Sequence, residues 1–137
     1  MVQRGGPQVL LRSHGHGHGH GHGSTVVLRR GAEEAHITRL AARAETGGQW
    51  AAFGEATQDP NFDNSAHTHD EAEAFYVLEG SYTFYTDAEP VEDVGPGTFV
   101  FIPPGAVHGF RAGSEGGKLL CLWPATVEEA FFERRTP

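Results

Sequence analysis

Glycine and proline divide this chain into short segments, and that division limits the possible folds more than any other feature. The chain has 137 residues, of which 19 are glycine and 8 are proline. Beyond residue 48, turns rich in these residues separate apolar runs at intervals of roughly eight to twelve residues, which is typical of short strands. We therefore predict an all-β sandwich or barrel.

The predicted strands cover much of the chain. They span residues 26–28, 37–40, 49–56, 75–78, 81–86, 98–102, 107–111 and 118–123. Residues 98–102 are almost entirely apolar, which is typical of a buried strand. We expect a tight turn at Gly80 between two separate strands, and a glycine-rich turn between residues 111 and 118. A capping box at Thr126 predicts a short C-terminal helix that buries Phe131 and Phe132.

One segment fits two patterns. Apolar residues recur at helical spacing between residues 32 and 44, so local propensity favours a helix there. Residues 37–40 could equally form a strand that enters the turn at Gly47. The β pattern of the remaining chain favours the strand, which is our prediction.

Composition argues against several classes of partner. The formal net charge is −8 at pH 7, whereas nucleic acids and anionic membranes attract basic surfaces. The sequence has no apolar run of about 18 residues that would span a membrane, and no N-terminal apolar stretch typical of a signal peptide. Cys121 is the single cysteine, so it has no internal disulfide partner and we expect it to be buried. These features predict a cytoplasmic protein.

Residues 1–24 differ from the rest of the chain. Histidine and glycine alternate from position 14 to position 23, and five of the nine histidines lie there. Glycine at every second position disfavours both helix and strand, so we predict a disordered tail. Two origins stay open for it: a natural metal-scavenging segment or a purification tag. The folded domain is then expected to span residues 25–137.

Three histidines and one carboxylate have the chemistry and spacing of a metal site. His67 and His69 are two residues apart, so on a strand both side chains point to the same face. Glu73 follows four residues later, and His108 comes directly after a Pro-Pro-Gly-Ala-Val segment. Such a set suits one divalent transition metal, which could be Fe, Mn, Ni, Co, Cu or Zn. A His-x-His pair alone could be a solvent-facing coincidence, but the carboxylate and the third histidine strengthen the prediction. We expect His36 to be an ordinary exposed residue.

Two segments of the sequence resemble the signature motifs of the cupin superfamily. They are His67-x-His69-x3-Glu73-x6-Gly80 and, after sixteen intervening residues, Gly97-x5-Pro103-x-Gly105-x2-His108. The resemblance covers residues 26–134. It implies a jelly-roll β-barrel, a homodimer, and the three histidines and Glu73 as ligands of one metal ion. Asn61 stands where a glycine usually precedes the first motif, and asparagine tolerates a left-handed backbone better than most side chains.

Residues 74–80 and 123–125 are similar to the quercetin-dioxygenase-like branch of the cupins. That similarity implies a metal-dependent dioxygenase acting on a small aromatic or enolic compound, with the metal as Lewis acid and template. Glu73 would then serve both as a ligand and as the catalytic base that accepts a substrate hydroxyl proton. Two alternatives stay open: a metal-dependent isomerase or cyclase of secondary metabolism, and a non-catalytic small-molecule-binding cupin.

Aromatic residues are abundant enough to line a pocket for a flat ligand. The candidates are Trp50, Phe75, Phe84, Phe99, Phe101 and Phe110. A small barrel also needs large side chains in its core. Pocket and core therefore stay open as alternatives for each of these residues.

Overall fold

The computed structural model describes residues 25–128 and Phe131, and these residues form an all-β fold. The strands of this part of the chain are β1 (Thr25–Arg30), β2 (Glu33–Ala42), β3 (Trp50–Gln58), β4 (Asp63–His67), β5 (Glu73–Tyr85), β6 (Val91–Val94), β7 (Phe99–Ile102) and β8 (His108–Pro124). The all-β prediction is confirmed. Residues 37–40 belong to a strand and not to a helix, also as predicted.

Strands β5 and β8 form the centre of the sheet. They pair antiparallel from Ala74 opposite Leu122 to Tyr85 opposite Gly109. The C-terminal half of β8 also pairs with β3, which continues into β2 and β1, while its N-terminal half pairs with β4. β7 pairs with the first half of β5, and β6 pairs with the second half. Each central strand therefore pairs with one set of strands along its first half and with another along its second half.

In both central strands, the set of alternate residues that points into the barrel changes at the same place. We call this place the corner and define it by the paired residues Gly80 and Gly117. In β5 the buried side chains are at odd-numbered positions before the corner and at even-numbered positions after it. In β8 they are at even-numbered positions before the corner and at odd-numbered positions after it. Gly80 has φ +84°, and a Cβ atom there would collide with the carbonyl oxygen of Gly116. Only glycine permits this approach of the two backbones.

The corner corrects two of our strand predictions. Residues 75–78 and 81–85 lie in the single strand β5, and residues 108–111 and 118–123 lie in the single strand β8. Tyr82 pairs with Ala112, and Gly80 pairs with Gly117. The two paired positions are therefore two residues apart in β5 but five residues apart in β8. Such bulged segments break the period-two pattern without ending the strand, so they imitate turns in the sequence.

The core is centred on Phe110. Its ring centroid lies 5.7–6.3 Å from those of four other aromatic side chains, which are Phe62, Phe75, Tyr82 and Phe84. The Tyr82 hydroxyl donates a hydrogen bond to the side-chain oxygen of Gln58, so both of these buried polar groups have a hydrogen-bond partner. Burial, with smaller contributions from Cys121 and Glu79, raises the pKa of Tyr82 well above its ordinary value.

The strand predicted over residues 98–102 is present as β7, but the prediction that it is buried is wrong. Phe99 and Phe101 are 61% and 57% exposed, whereas Ile102 is buried. The alternation arises because β7 lies against the barrel through one face only. A run of apolar residues is ambiguous between a strand covered on both faces and a strand covered on one.

Several single residues have the environment or backbone conformation that the sequence predicts. Cys121 is buried and His36 is exposed, both as predicted. Asn61 adopts the expected left-handed conformation, with φ 65°. Within the described ranges, no helix is long and apolar enough to cross a membrane. The tail of residues 1–24 and most of the expected C-terminal helix, including Phe132, lie outside the described residues.

Candidate metal centre

The fold brings the three predicted histidines together. His67 ends β4 and lies opposite His108, the first residue of β8. His69 lies in the connection that follows β4, so this connection, rather than strand alternation, directs its ring towards the other two. Potential ligand atoms of the three imidazoles all lie within 4.8 Å of one another. The group has the dimensions of a site for a divalent metal ion.

Backbone carbonyl groups orient two of these imidazoles. The Nδ1 atom of His67 lies 2.6 Å from the carbonyl oxygen of Ser65, and the Nδ1 atom of His108 lies 2.9 Å from that of Ala106. A carbonyl oxygen only accepts hydrogen bonds, so both Nδ1 atoms carry the hydrogen. In the neutral rings, the Nε2 atoms are therefore left with a lone pair, which is the form that binds metals.

Glu73, the first residue of β5, joins the histidines from inside the barrel. Its side chain is 1% exposed, and its Oε1 atom lies 3.1 Å from Nε2 of His69 and 3.2 Å from Nε2 of His108. A carboxylate oxygen and a neutral Nε2 both present lone pairs, so a proton or a metal ion is needed between Glu73 and His108. Two ligands bound at right angles, each about 2.1 Å from an ion, lie about 3.0 Å apart. The observed spacing therefore fits a shared metal.

Three residues that sequence reasoning did not assign to the site also contact it. The indole Nε1 of Trp123 donates a hydrogen bond of 2.7 Å to Glu73 Oε2. The ring of Phe131 meets that of His69 edge to face at 5.0 Å. Glu71 Oε1 lies 3.7 Å from Nδ1 of His69. The two-residue spacing of Glu71 from His69 was a readable signal, whereas Trp123 is 50 residues from Glu73 and no short motif links them.

Within the part of the chain that the structure describes, two spaces adjoin this group. An interior cavity of about 20 Å³ is lined by Glu73, Trp123 and mainly apolar side chains, including Phe75 and Phe110. That volume holds about one water molecule and no flat organic ligand. A wider cleft of about 250 Å³ reaches His108 between Phe84 and Phe101.

One polar side chain of the cleft is held in place. The hydroxyl group of Tyr85 lies in a 3.1 Å hydrogen bond with Asp63 Oδ2. Burial first, and then this hydrogen bond, raises the pKa of Tyr85, since both favour the neutral phenol. Tyr85 therefore keeps its proton at neutral pH and borders the cleft as an uncharged group.

Comparison with known proteins agrees with the motifs. Residues 54–123, just over half of the chain, match the family model of the cupin domain. Quercetin 2,3-dioxygenase of Bacillus subtilis (strain 168) is 32% identical over 95 residues, which are 68% of this chain and 27% of that protein. Dimethylsulfoniopropionate lyase DddQ of Ruegeria pomeroyi is 33% identical over 64 residues, which are 47% of this chain and 32% of that protein. The chain thus spans about a third or less of each of these relatives.

Solved structures give the same fold. The polyketide cyclase RemF from Streptomyces resistomycificus superimposes with a TM-score of 0.63 at 27% identity, covering 74% of this chain and 73% of that one. A protein described as a predicted oxalate decarboxylase from Thermotoga maritima has a TM-score of 0.61 at 18% identity, covering 73% and 92%. The second similarity concerns the fold alone. An RmlC-like cupin from Shewanella frigidimarina has a TM-score of 0.58 at 19% identity, covering 78% and 88%, and the expected jelly-roll architecture is confirmed.

Proposed function

The chain belongs to the cupin family, and we propose that it is a metal-dependent dioxygenase acting on a small enolic or phenolic compound. The observation that carries this proposal is the meeting of three imidazoles with the buried Glu73. The similarity to quercetin 2,3-dioxygenase supports oxygen chemistry at this site.

The residues present fit one divalent transition metal. His67 and His108 would bind it through Nε2, since their Nδ1 atoms are occupied by backbone carbonyl groups. His69 would contribute its Nε2 atom, and Glu73 its Oε1 atom, the two atoms that face each other. The metal would supply Lewis acidity and a fixed point for a substrate oxygen.

Glu73 is our candidate for the base. Its Oε1 atom lies beside the two histidine nitrogens, where a substrate hydroxyl group would approach. The neighbouring cavity is mainly apolar, and its volume holds about one water molecule. A proton released by the substrate would then pass to the carboxylate rather than to bulk water.

A metal-dependent cyclase or isomerase is the second candidate. It is favoured by the similarity to RemF, which extends over nearly three quarters of both chains. It would use the same ligands to polarise an enolic oxygen without consuming O₂.

Oxygen uptake separates these candidates. The protein would be the full chain with the five tail histidines replaced by asparagine, which we call the tail-substituted chain, because the tail alone would bind metal. After loading with each candidate metal, O₂ consumption is followed with a panel of flavonols and dihydroxy-enones. We expect O₂ uptake coupled to product formation, and a loss of about 100-fold or more in Glu73→Gln, the usual range for removing a general base.

Three results would contradict the proposal. Conversion without O₂ would indicate the cyclase or isomerase instead. Substrate line-broadening without turnover, with every metal tested, would indicate a non-catalytic binding module. Metal content far below one equivalent after reconstitution, measured by elemental analysis, would exclude the metal site itself.

A further inference from the structure

Trp123 lies opposite Glu73 on the inner face of the barrel. Ala74 of β5 pairs with Leu122 of β8, so Glu73 and Trp123 are the next facing positions along the two strands. Both side chains are buried, and the indole Nε1 donates to Glu73 Oε2 at 2.7 Å. Hydrogen bonds to a charged acceptor in a buried setting are among the stronger ones.

This hydrogen bond gives the two carboxylate oxygens of Glu73 different roles. Oε2 faces the indole, while Oε1 faces Nε2 of His69 and of His108. An indole N–H has one hydrogen to donate and no lone pair to accept with. Rotation of the carboxylate would break the bond to Trp123, so its orientation is constrained.

Trp123 also reaches His69 through a second contact. Its ring centroid lies 6.5 Å from that of Phe131, and Phe131 in turn packs edge to face against His69. One side chain of β8 thus supports two of the residues that face the metal position.

We infer that Trp123 is a positioning residue that holds Glu73 so that a bound metal receives one carboxylate oxygen rather than two. The inference rests on the metal site proposed above. It would leave a coordination position free for substrate, since a carboxylate that binds through both oxygens occupies two positions.

The test compares Co²⁺ binding to the tail-substituted chain with and without Trp123→Phe. Phenylalanine keeps an aromatic ring but removes the N–H donor. We expect Co²⁺ affinity to fall about 10-fold to 100-fold, the usual range for losing a partner of a ligand. The visible absorption spectrum of bound Co²⁺ should change as well, because Glu73 is free to turn. Trp50→Phe is the matched control, since Trp50 is 44% exposed on β3, and it should leave affinity and spectrum unchanged.

A double-mutant cycle tests whether Trp123 acts through Glu73. In the Glu73→Gln background, Trp123→Phe should produce a much smaller loss of Co²⁺ affinity than in the parent. Equal losses in both backgrounds would indicate general support of the barrel and would overturn the inference.

A second replacement covers the case in which Trp123→Phe does not fold. In the Trp50→Phe background Trp123 is the only tryptophan, and biosynthetic incorporation of benzothienylalanine replaces its N–H with sulphur at nearly constant shape. The same spectral change is expected. An unchanged spectrum and affinity would overturn the role of Trp123 alone, whereas failure of the parent to bind Co²⁺ would overturn the proposed function.

Discussion

The inner and outer faces of β5 and of the strands paired with it carry similar aromatic residues in opposite surroundings. Phe75, Phe84 and Phe110 are buried together on the inner face, with Phe110 at their centre. Tyr76, Phe99 and Phe101 form what we call the outer patch, which is exposed, with Tyr76 paired to Phe99 across β5 and β7. The difference teaches that residue type does not distinguish core from surface in this barrel. The face to which each position points does.

The largest difference between the faces should be in stability. Phe110→Ala removes the central ring of the core, so we expect the free energy of unfolding to fall by about 3–5 kcal/mol. Phe101→Ala on the outer patch should change it by less than about 0.5 kcal/mol. Urea unfolding at several protein concentrations would measure both, and similar losses in the two variants would contradict the assignment of inner and outer faces.

Metal binding offers a second comparison between an inward and an outward histidine. His108→Ala removes a buried candidate ligand, whereas His36→Ala removes an exposed histidine that lies 3.3 Å from Glu34. In the tail-substituted chain, we expect His108→Ala to weaken Co²⁺ binding by more than about 100-fold, beyond the range for groups that only support a ligand. His36→Ala should bind Co²⁺ like the parent. Unchanged metal content in a folded His108→Ala protein would refute the ligand role of His108.

The smallest expected effect on a single chain concerns the outer patch. The resemblance to cupins predicts a homodimer, and neighbouring exposed aromatic residues are where we expect a second copy to pack. Phe99→Ser should then shift the mass measured by light scattering towards the monomer while changing the unfolding of the monomer little. A parent protein that is monomeric at all concentrations would show that the patch does not join two copies.

Most strands could be predicted because turn residues and apolar runs are local signals. The segment of residues 37–40 was predicted correctly only because the β pattern of the remaining chain outweighed local helical spacing. The errors fall at Gly80 and at residues 113–117, where bulges resemble turns, and at Phe99 and Phe101, where alternating burial occurs within an apolar run. β4 and β6 were not among the predicted strands. In each case the deciding fact is the location of a neighbouring strand.

The site divides in the same way. Three histidines and Glu73 could be selected because their motifs are compact, and the structure brings them together. Trp123 could not be linked to Glu73 from the sequence, because their contact depends on the register of β5 against β8. The aromatic candidates also divide: Phe84 and Phe101 border the cleft, Phe75 and Phe110 border the small cavity, and Phe99 and Trp50 are exposed.

The corner has a consequence for how the length of β8 can vary. His108 and Trp123 both face the interior, although one position is even and the other odd, and a regular strand would direct them to opposite sides. The bulged segment between Ala112 and Gly117 shifts the inward–outward alternation by one residue, which allows both side chains to face the interior. Inserting or deleting two residues in this segment would therefore keep Trp123 facing the interior. Inserting or deleting one residue would direct Trp123 away from Glu73. The hydrogen bond between Trp123 and Glu73 at the candidate metal centre thus depends on the number of residues in a segment that does not contact either of them.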